Sequence, residues 1–237
     1  MLHLLQAFGG PGRAALSFAP TYSMYPEYAR DTHTRWVAGR REEDFTLDVD
    51  AAVALIQQER PAVVFLPSPN NPTGTALPIS AVEQILSAAR TSGPDGAATV
   101  VVVDEAYAEF RREGTPSALS LLADNRHLAV TRTMSKAFGM AGARLGYLAA
   151  APALVDMLRI VRLPYHLSAV TQAVALAALS HTDELMTQVA SLRAERDALV
   201  EWLDLHGLDA VPSDANFIWV GKFNDRHAIW QGQLEAG

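Results

Sequence analysis

Short, dense apolar runs alternate with helical periodicities over the first 150 residues. The runs are Ala62–Leu66, Thr99–Val103 and Leu128–Thr131. Each is rich in β-branched side chains and bounded by turn-forming residues, which suits strands buried on both faces of a parallel sheet. Helical spacing precedes the first two, over 48–59 and 78–91. This alternation predicts an α/β architecture. At the start, Leu2, Leu5 and Phe8 recur at helical spacing and stop at Gly9-Gly10-Pro11-Gly12, so a helix is expected to end there. Residues 91–97 read as a loop from their turn residues.

Beyond residue 150 the pattern turns helical. One helix is predicted over 168–180 and a longer one over 183–206, with Leu185, Val189, Leu192, Leu199 and Leu203 on one stripe. Asp183 and Gly207 stand where caps would. At about 1.5 Å per residue the long helix could bridge two domains. Its charged residues, Arg193, Glu195, Arg196 and Asp197, are expected on a solvated face. A strand over Ala215–Val220 and a helix from Asp225 to Gly237 follow.

Composition narrows the classes. The chain has 237 residues, enough for one to two domains and a large core. It has no cysteine, which excludes a disulfide scaffold, a thiolate metal site and a cysteine nucleophile, and fits a reducing compartment. The net charge is −7 without any basic run, so no nucleic-acid partner is expected. No apolar stretch is long enough to span a membrane, and the first residues lack the basic region of a signal peptide. A cytoplasmic protein is expected. No metal-ligand spacing such as H-E-x-x-H occurs, nor a G-K-[ST] phosphate loop or a G-x-S-x-G elbow.

In open parallel sheets, ligands bind at the carboxyl ends of the strands. After Leu66 comes Pro67-Ser-Pro-Asn-Asn-Pro-Thr-Gly74; after Val103 comes Asp104-Glu-Ala-Tyr107; after Thr131 comes Arg132-Thr-Met-Ser-Lys-Ala-Phe-Gly139, with Arg144 eight residues past Lys136. One edge thus collects an amide, a carboxylate, a phenol, hydroxyls, an amine and a guanidinium. A phosphorylated pyridine aldehyde needs this inventory. An amine forms the imine, and a carboxylate keeps the ring nitrogen protonated so that the ring can act as electron sink. Neutral donors meet the ring oxygen, and hydroxyls with a guanidinium hold the phosphate. Asp104 and Glu105 do not read as a catalytic carboxylate pair, because adjacent strand residues point to opposite faces.

Ser68–Gly74, Val103–Tyr107 and Ser135–Tyr147 together resemble the signature segments of fold-type I pyridoxal-phosphate aminotransferases. Within that family they are most similar to the histidinol-phosphate aminotransferases. Pro20–Tyr25 resembles the segment with the aromatic residue that stacks on the cofactor, and Arg162–Ser168 the segment with a tyrosine that helps recognise the substrate phosphate. The resemblance covers essentially the whole chain.

It implies a mostly parallel sheet flanked by helices, and pyridoxal 5'-phosphate as cofactor. It implies a large cofactor domain over 1–182 and an incomplete small C-terminal domain over 183–237. Lys136 would bind the cofactor covalently and move the substrate proton. Asp104 would pair with the ring nitrogen, Asn71 and Tyr107 would donate to the ring oxygen, and Tyr22 would stack on the ring. Thr133, Ser135 and Arg144 would hold the phosphate. Tyr165 and Asn216 would face the substrate. The partners implied are a small-molecule amino donor and a 2-oxo acid, in a homodimer when intact. The implied reaction is transamination between histidinol phosphate and 2-oxoglutarate. The family's chains extend beyond both ends, so a fragment with little activity of its own is expected. Aromatic-amino-acid transaminases and threonine-phosphate decarboxylases use nearly the same residues and remain alternatives. So does an aminotransferase-like effector domain of a transcription regulator.

Overall fold

The computed structural model describes residues 1–221 and 223–237. A six-stranded sheet runs in the order β2-β1-β3-β4-β5-β6. Its strands are β1 (Ala14–Ala19), β2 (Arg35–Arg40), β3 (Val63–Pro67), β4 (Val100–Asp104), β5 (Leu128–Thr133) and β6 (Gly146–Ala150). The first five are mutually parallel, and β6 is antiparallel to β5. The apolar runs predict β3, β4 and β5. β1, β2 and β6 were not anticipated.

Helices cover both faces. They are α1 (Leu2–Phe8), α2 (Met24–Asp31), α3 (Val49–Glu59), α4 (Ile79–Ala89), α5 (Pro152–Val161), α6 (Ala169–Ser180), α7 (Thr182–Leu205) and α8 (Arg226–Ala236). The two-residue pleat sorts the core into two halves. Val64, Leu66, Val101, Val103 and Val130 face Ile56 and Ile85 of α3 and α4. Val63, Phe65, Val100, Val102 and Ala129 face Leu4 and Leu5 of α1, Tyr25 and Ala29 of α2 and Leu154 of α5. Strands buried on both faces explain the continuous apolar runs.

Helix starts follow local chemistry. Asp48 accepts from the Ala51 N–H at 3.0 Å and caps α3. Ser168 accepts from the Thr171 N–H at 3.0 Å and caps α6. Asp183 does not cap α7. His181 occupies that place, and Asp183 lies with Glu184 in the first turn, where a negative charge still favours the helix N-terminus.

Three further expectations for the C-terminal part need correction. The residues of α7 that are buried are Val189, Arg196 and Leu203, whereas Leu192 and Leu199 are exposed. Arg196 therefore leaves the solvated face assigned to it. Its Nη1 donates to Phe110 O at 2.7 Å and Ala215 O at 3.0 Å, and its Nε donates to Asp197 at 3.0 Å. A guanidinium with its donors satisfied can be buried where an unpaired one could not.

Residues 215–220 form no strand. Ser213 Oγ donates to Phe217 O at 2.6 Å and accepts from the Ala215 N–H at 3.1 Å, closing a turn in place of a ladder. Val220 makes a single antiparallel bridge with Ala210.

Candidate active site

The connections after β1 and β3 leave a topological switch point, because β2 and β3 lie on opposite sides of β1. The segment after β1 carries Tyr22 and Tyr25, and the segment after β3 carries Asn70 and Asn71. Asn70 joins them, donating to Pro20 O at 3.1 Å and to Thr73 Oγ at 2.7 Å. β4 and β5 end beside them, with Pro67 in register with Asp104 and Asp104 in register with Thr131.

The pleat decides what Asp104 meets. Its side chain lies on the α2 face, where Tyr25 Oη donates to Oδ2 at 2.8 Å and Thr131 Oγ1 donates to Oδ1 at 3.1 Å. Both side-chain partners are neutral. Burial raises the Asp104 carboxyl above its ordinary value, and the two hydroxyl donors only partly oppose this. Sequence reasoning missed Tyr25. The only signal was its apolar spacing with Ala29 on α2.

The next residue points the other way. Glu105 is 1% exposed and accepts from Arg132 Nη2 at 2.8 Å, Arg111 Nη1 at 3.3 Å, Ser117 Oγ at 2.8 Å and the Ala118 N–H at 2.8 Å. Burial opposes the charge on Arg132, but its hydrogen bonds to Glu105 outweigh that and hold the guanidinium above its usual value. This cluster anchors the ends of β4 and β5 from beneath.

Tyr107 is buried, and its hydroxyl accepts from Asn71 Nδ2 at 3.0 Å. Lys136 Nζ stands 5.3 Å from the Tyr107 ring centroid. The structure thus brings Asn71 and Lys136 to Tyr107, which lies three residues along the chain from Asp104. Tyr22 packs edge-on against Tyr25, with ring centroids 5.4 Å apart. The Ser135 N–H donates to Thr133 Oγ1 at 3.1 Å, and Thr133 Oγ1 donates to Leu145 O at 3.3 Å, which brings the Arg144–Leu145 backbone to the same edge. Arg144 is exposed, in left-handed backbone with φ 52°, and donates to Ala141 O at 2.8 Å.

Phe217 packs edge-on against Tyr107, with centroids 5.1 Å apart, and its neighbour Asn216 is exposed. Tyr165 is 98% exposed and has none of these residues among its described contacts. Among the described residues no cluster of three histidine, aspartate or glutamate side chains could hold a metal ion.

Residues 1–236 match the family model for aminotransferase class I and II. The chain belongs to that family. This aminotransferase chain is 62% identical over 234 residues to a histidinol-phosphate aminotransferase of Thermobifida fusca, covering 99% of this chain and 62% of the relative. It is 55% identical over 247 residues to one of Bifidobacterium adolescentis, covering 100% of this chain and 63% of the relative. It therefore spans less than two thirds of the length of these relatives.

Among solved structures it is similar to the histidinol-phosphate aminotransferase of Sinorhizobium meliloti in complex with pyridoxal-5'-phosphate (TM-score 0.80, 26% identity, 92% of this chain and 58% of that one). It is also similar to the aspartate aminotransferase of Thermus thermophilus with maleate (TM-score 0.84, 26% identity, 100% of this chain and 63% of that one). The α/β architecture is that of the fold-type I transferases. No helix among the described residues is long and apolar enough to cross a membrane.

Proposed function

We propose that the site serves pyridoxal 5'-phosphate-dependent transamination between histidinol phosphate and 2-oxoglutarate, in histidine biosynthesis. The observation that carries the reading is the gathering of Asp104, Asn71, Tyr107 and Lys136 at one edge of the sheet. The donor set fits the cofactor. Asp104 is a deep carboxylate whose side-chain partners are uncharged, so a protonated ring nitrogen would supply the positive charge it lacks. Asn71 and Tyr107 converge on one point and suit the ring oxygen. Thr133, Ser135 and Arg144 offer hydroxyls and a guanidinium for the phosphate.

When bound, the cofactor supplies an electron sink for the carbon next to the substrate nitrogen. Lys136 anchors it covalently through Nζ. The Lys136 Nζ amine, when free, would serve as the base that moves the substrate's proton. Asp104 holds the proton at the ring nitrogen throughout. Tyr22 would stack on the cofactor ring. Tyr165 reaches for the substrate phosphate, and Asn216 lines the rim.

High identity to the histidinol-phosphate enzymes of Thermobifida fusca and Bifidobacterium adolescentis favours that substrate over an aromatic amino acid or a threonine phosphate. We read 1–182 as the cofactor domain and 183–237 as part of the small domain, joined where Arg196 docks. A homodimer is supported by the apolar side chains left exposed on α5, α6 and the segment between them, among them Ile160, Leu163, Val170 and Leu176. The absence of cysteine supports a cytoplasmic location.

The test loads the chain with pyridoxal 5'-phosphate and follows cofactor absorbance while adding histidinol phosphate or phenylalanine. A response to histidinol phosphate at lower concentration is expected. A response to phenylalanine alone would move the assignment to an aromatic transaminase.

A further inference from the structure

Tyr25 is fully buried and touches no solvent, yet it contacts two of the side chains assigned to the cofactor. Its hydroxyl donates to Asp104 Oδ2 at 2.8 Å. Its ring edge meets Tyr22 at 5.4 Å and an interplanar angle of 82°. Its own plane is set from behind by Phe65 of β3, stacked at 4.6 Å and 10°. Phe65 lies in the sheet core, so the stack ties Tyr25 to the buried interior of the sheet.

We infer that Tyr25 is a positioning residue that fixes the carboxylate of Asp104 and the ring plane of Tyr22 through a single side chain. The inference deepens the cofactor reading above and rests on it for its functional meaning. A pyridine ring can be held at its nitrogen and across its face only if those two groups keep a fixed angle to one another. One aromatic ring in contact with both supplies that angle. Thr131 helps on one side alone, donating to Asp104 Oδ1 at 3.1 Å. With one hydroxyl on each oxygen, rotation of the carboxyl group breaks two hydrogen bonds together.

The chemistry of a phenol suits the task. Burial and the neighbouring carboxylate hold the Tyr25 hydroxyl well above its ordinary range, so it remains a donor at every working pH. It therefore favours the charged form of Asp104 without itself switching. The Ala106 N–H acts on Asp104 in the same sense.

The test separates the hydroxyl from the ring. Tyr25→Phe keeps the stack on Phe65 and the edge contact with Tyr22. The first readout needs no cofactor. It is the ¹³C carboxyl titration of Asp104, identified by the signal lost in Asp104→Asn. Tyr25→Phe is expected to raise the Asp104 midpoint by about one pH unit. The second readout is the dissociation constant for pyridoxal 5'-phosphate. Tyr25→Phe is expected to weaken it about tenfold, and to have no effect in an Asp104→Asn background. Tyr25→Leu, which also removes the ring, is expected to reduce the circular dichroism of the bound cofactor beyond Tyr25→Phe.

An unchanged Asp104 midpoint in Tyr25→Phe overturns the inference. So does an equal loss of affinity with and without Asp104. A shifted midpoint together with a wild-type chain that binds no pyridoxal 5'-phosphate would keep the Tyr25–Asp104 coupling and reject the cofactor reading instead.

Discussion

Gly74 and Ser213 approach so closely that a methyl group on Gly74 would collide with Ser213 Oγ and lie 2.8 Å from its Cβ. The contact docks the C-terminal part on the loop after β3. It is reinforced by the Asp214 N–H, which donates to Gly74 O at 2.8 Å. The same serine closes the turn that sets Phe217 against Tyr107. Gly74 also has φ +76°, where a side chain is strained whatever the space. Gly74→Ala is expected to cost about 1–3 kcal/mol in urea unfolding. It should also weaken pyridoxal 5'-phosphate binding, read by absorbance titration. Unchanged stability and binding would show that the two parts are not coupled through this contact.

Glu105 carries the underside of the site. Glu105→Ala would leave Arg132 and Arg111 without their buried carboxylate. The expected loss is about 3–5 kcal/mol, measured by denaturant unfolding. A loss below about 1 kcal/mol, the size typical of a surface pair, would contradict the burial described for this cluster.

The raised Asp104 carboxyl has a stability consequence with a definite sign. A group that binds its proton more tightly in the folded chain stabilises it at low pH. That contribution is lost as pH rises through the folded value. The model-peptide value for aspartate is 3.8, and the folded value lies above it. The melting temperature of Asp104→Asn minus that of wild type, both without cofactor, is expected to increase as pH rises from below 3.8 towards neutrality. A difference that stays flat with pH would mean that Asp104 is not destabilised by burial. Adding pyridoxal 5'-phosphate at neutral pH should stabilise wild type and not Asp104→Asn.

Arg196→Leu tests the contact of α7 with the segments that carry Phe110 and Ala215. It leaves the Phe110 and Ala215 carbonyls without their donor, at about 1–3 kcal/mol for each buried group. Thermal melts should show the loss, and increased hydrogen exchange over 108–110 and 213–217 should localise it. Protection equal to wild type in both segments would contradict the assigned role.

The parts legible in the sequence were those with a strong local signal. Val100–Asp104 reads as a strand because both its faces are buried, and the polar residues after each such strand were the candidates for a binding edge. β1 and β2 escaped because Leu16 and Phe18 alternate with small residues, and Arg35–Arg40 is an edge strand with charged ends. Tyr25 was invisible because its partner, Asp104, is 79 residues away. The same limit hid Arg196: charge alone predicts a solvated face, and only the fold brings two carbonyls to it. Ser213 shows how one local hydroxyl can override a run of β-formers such as Phe217–Val220.

The central claim is that Lys136 is the attachment point of the cofactor. The chain incubated with pyridoxal 5'-phosphate, reduced with borohydride and digested should yield one modified peptide, with the label on Lys136. Lys136→Ala should yield none. A label on another residue, or equal labelling of the Lys136→Ala chain, would contradict the account.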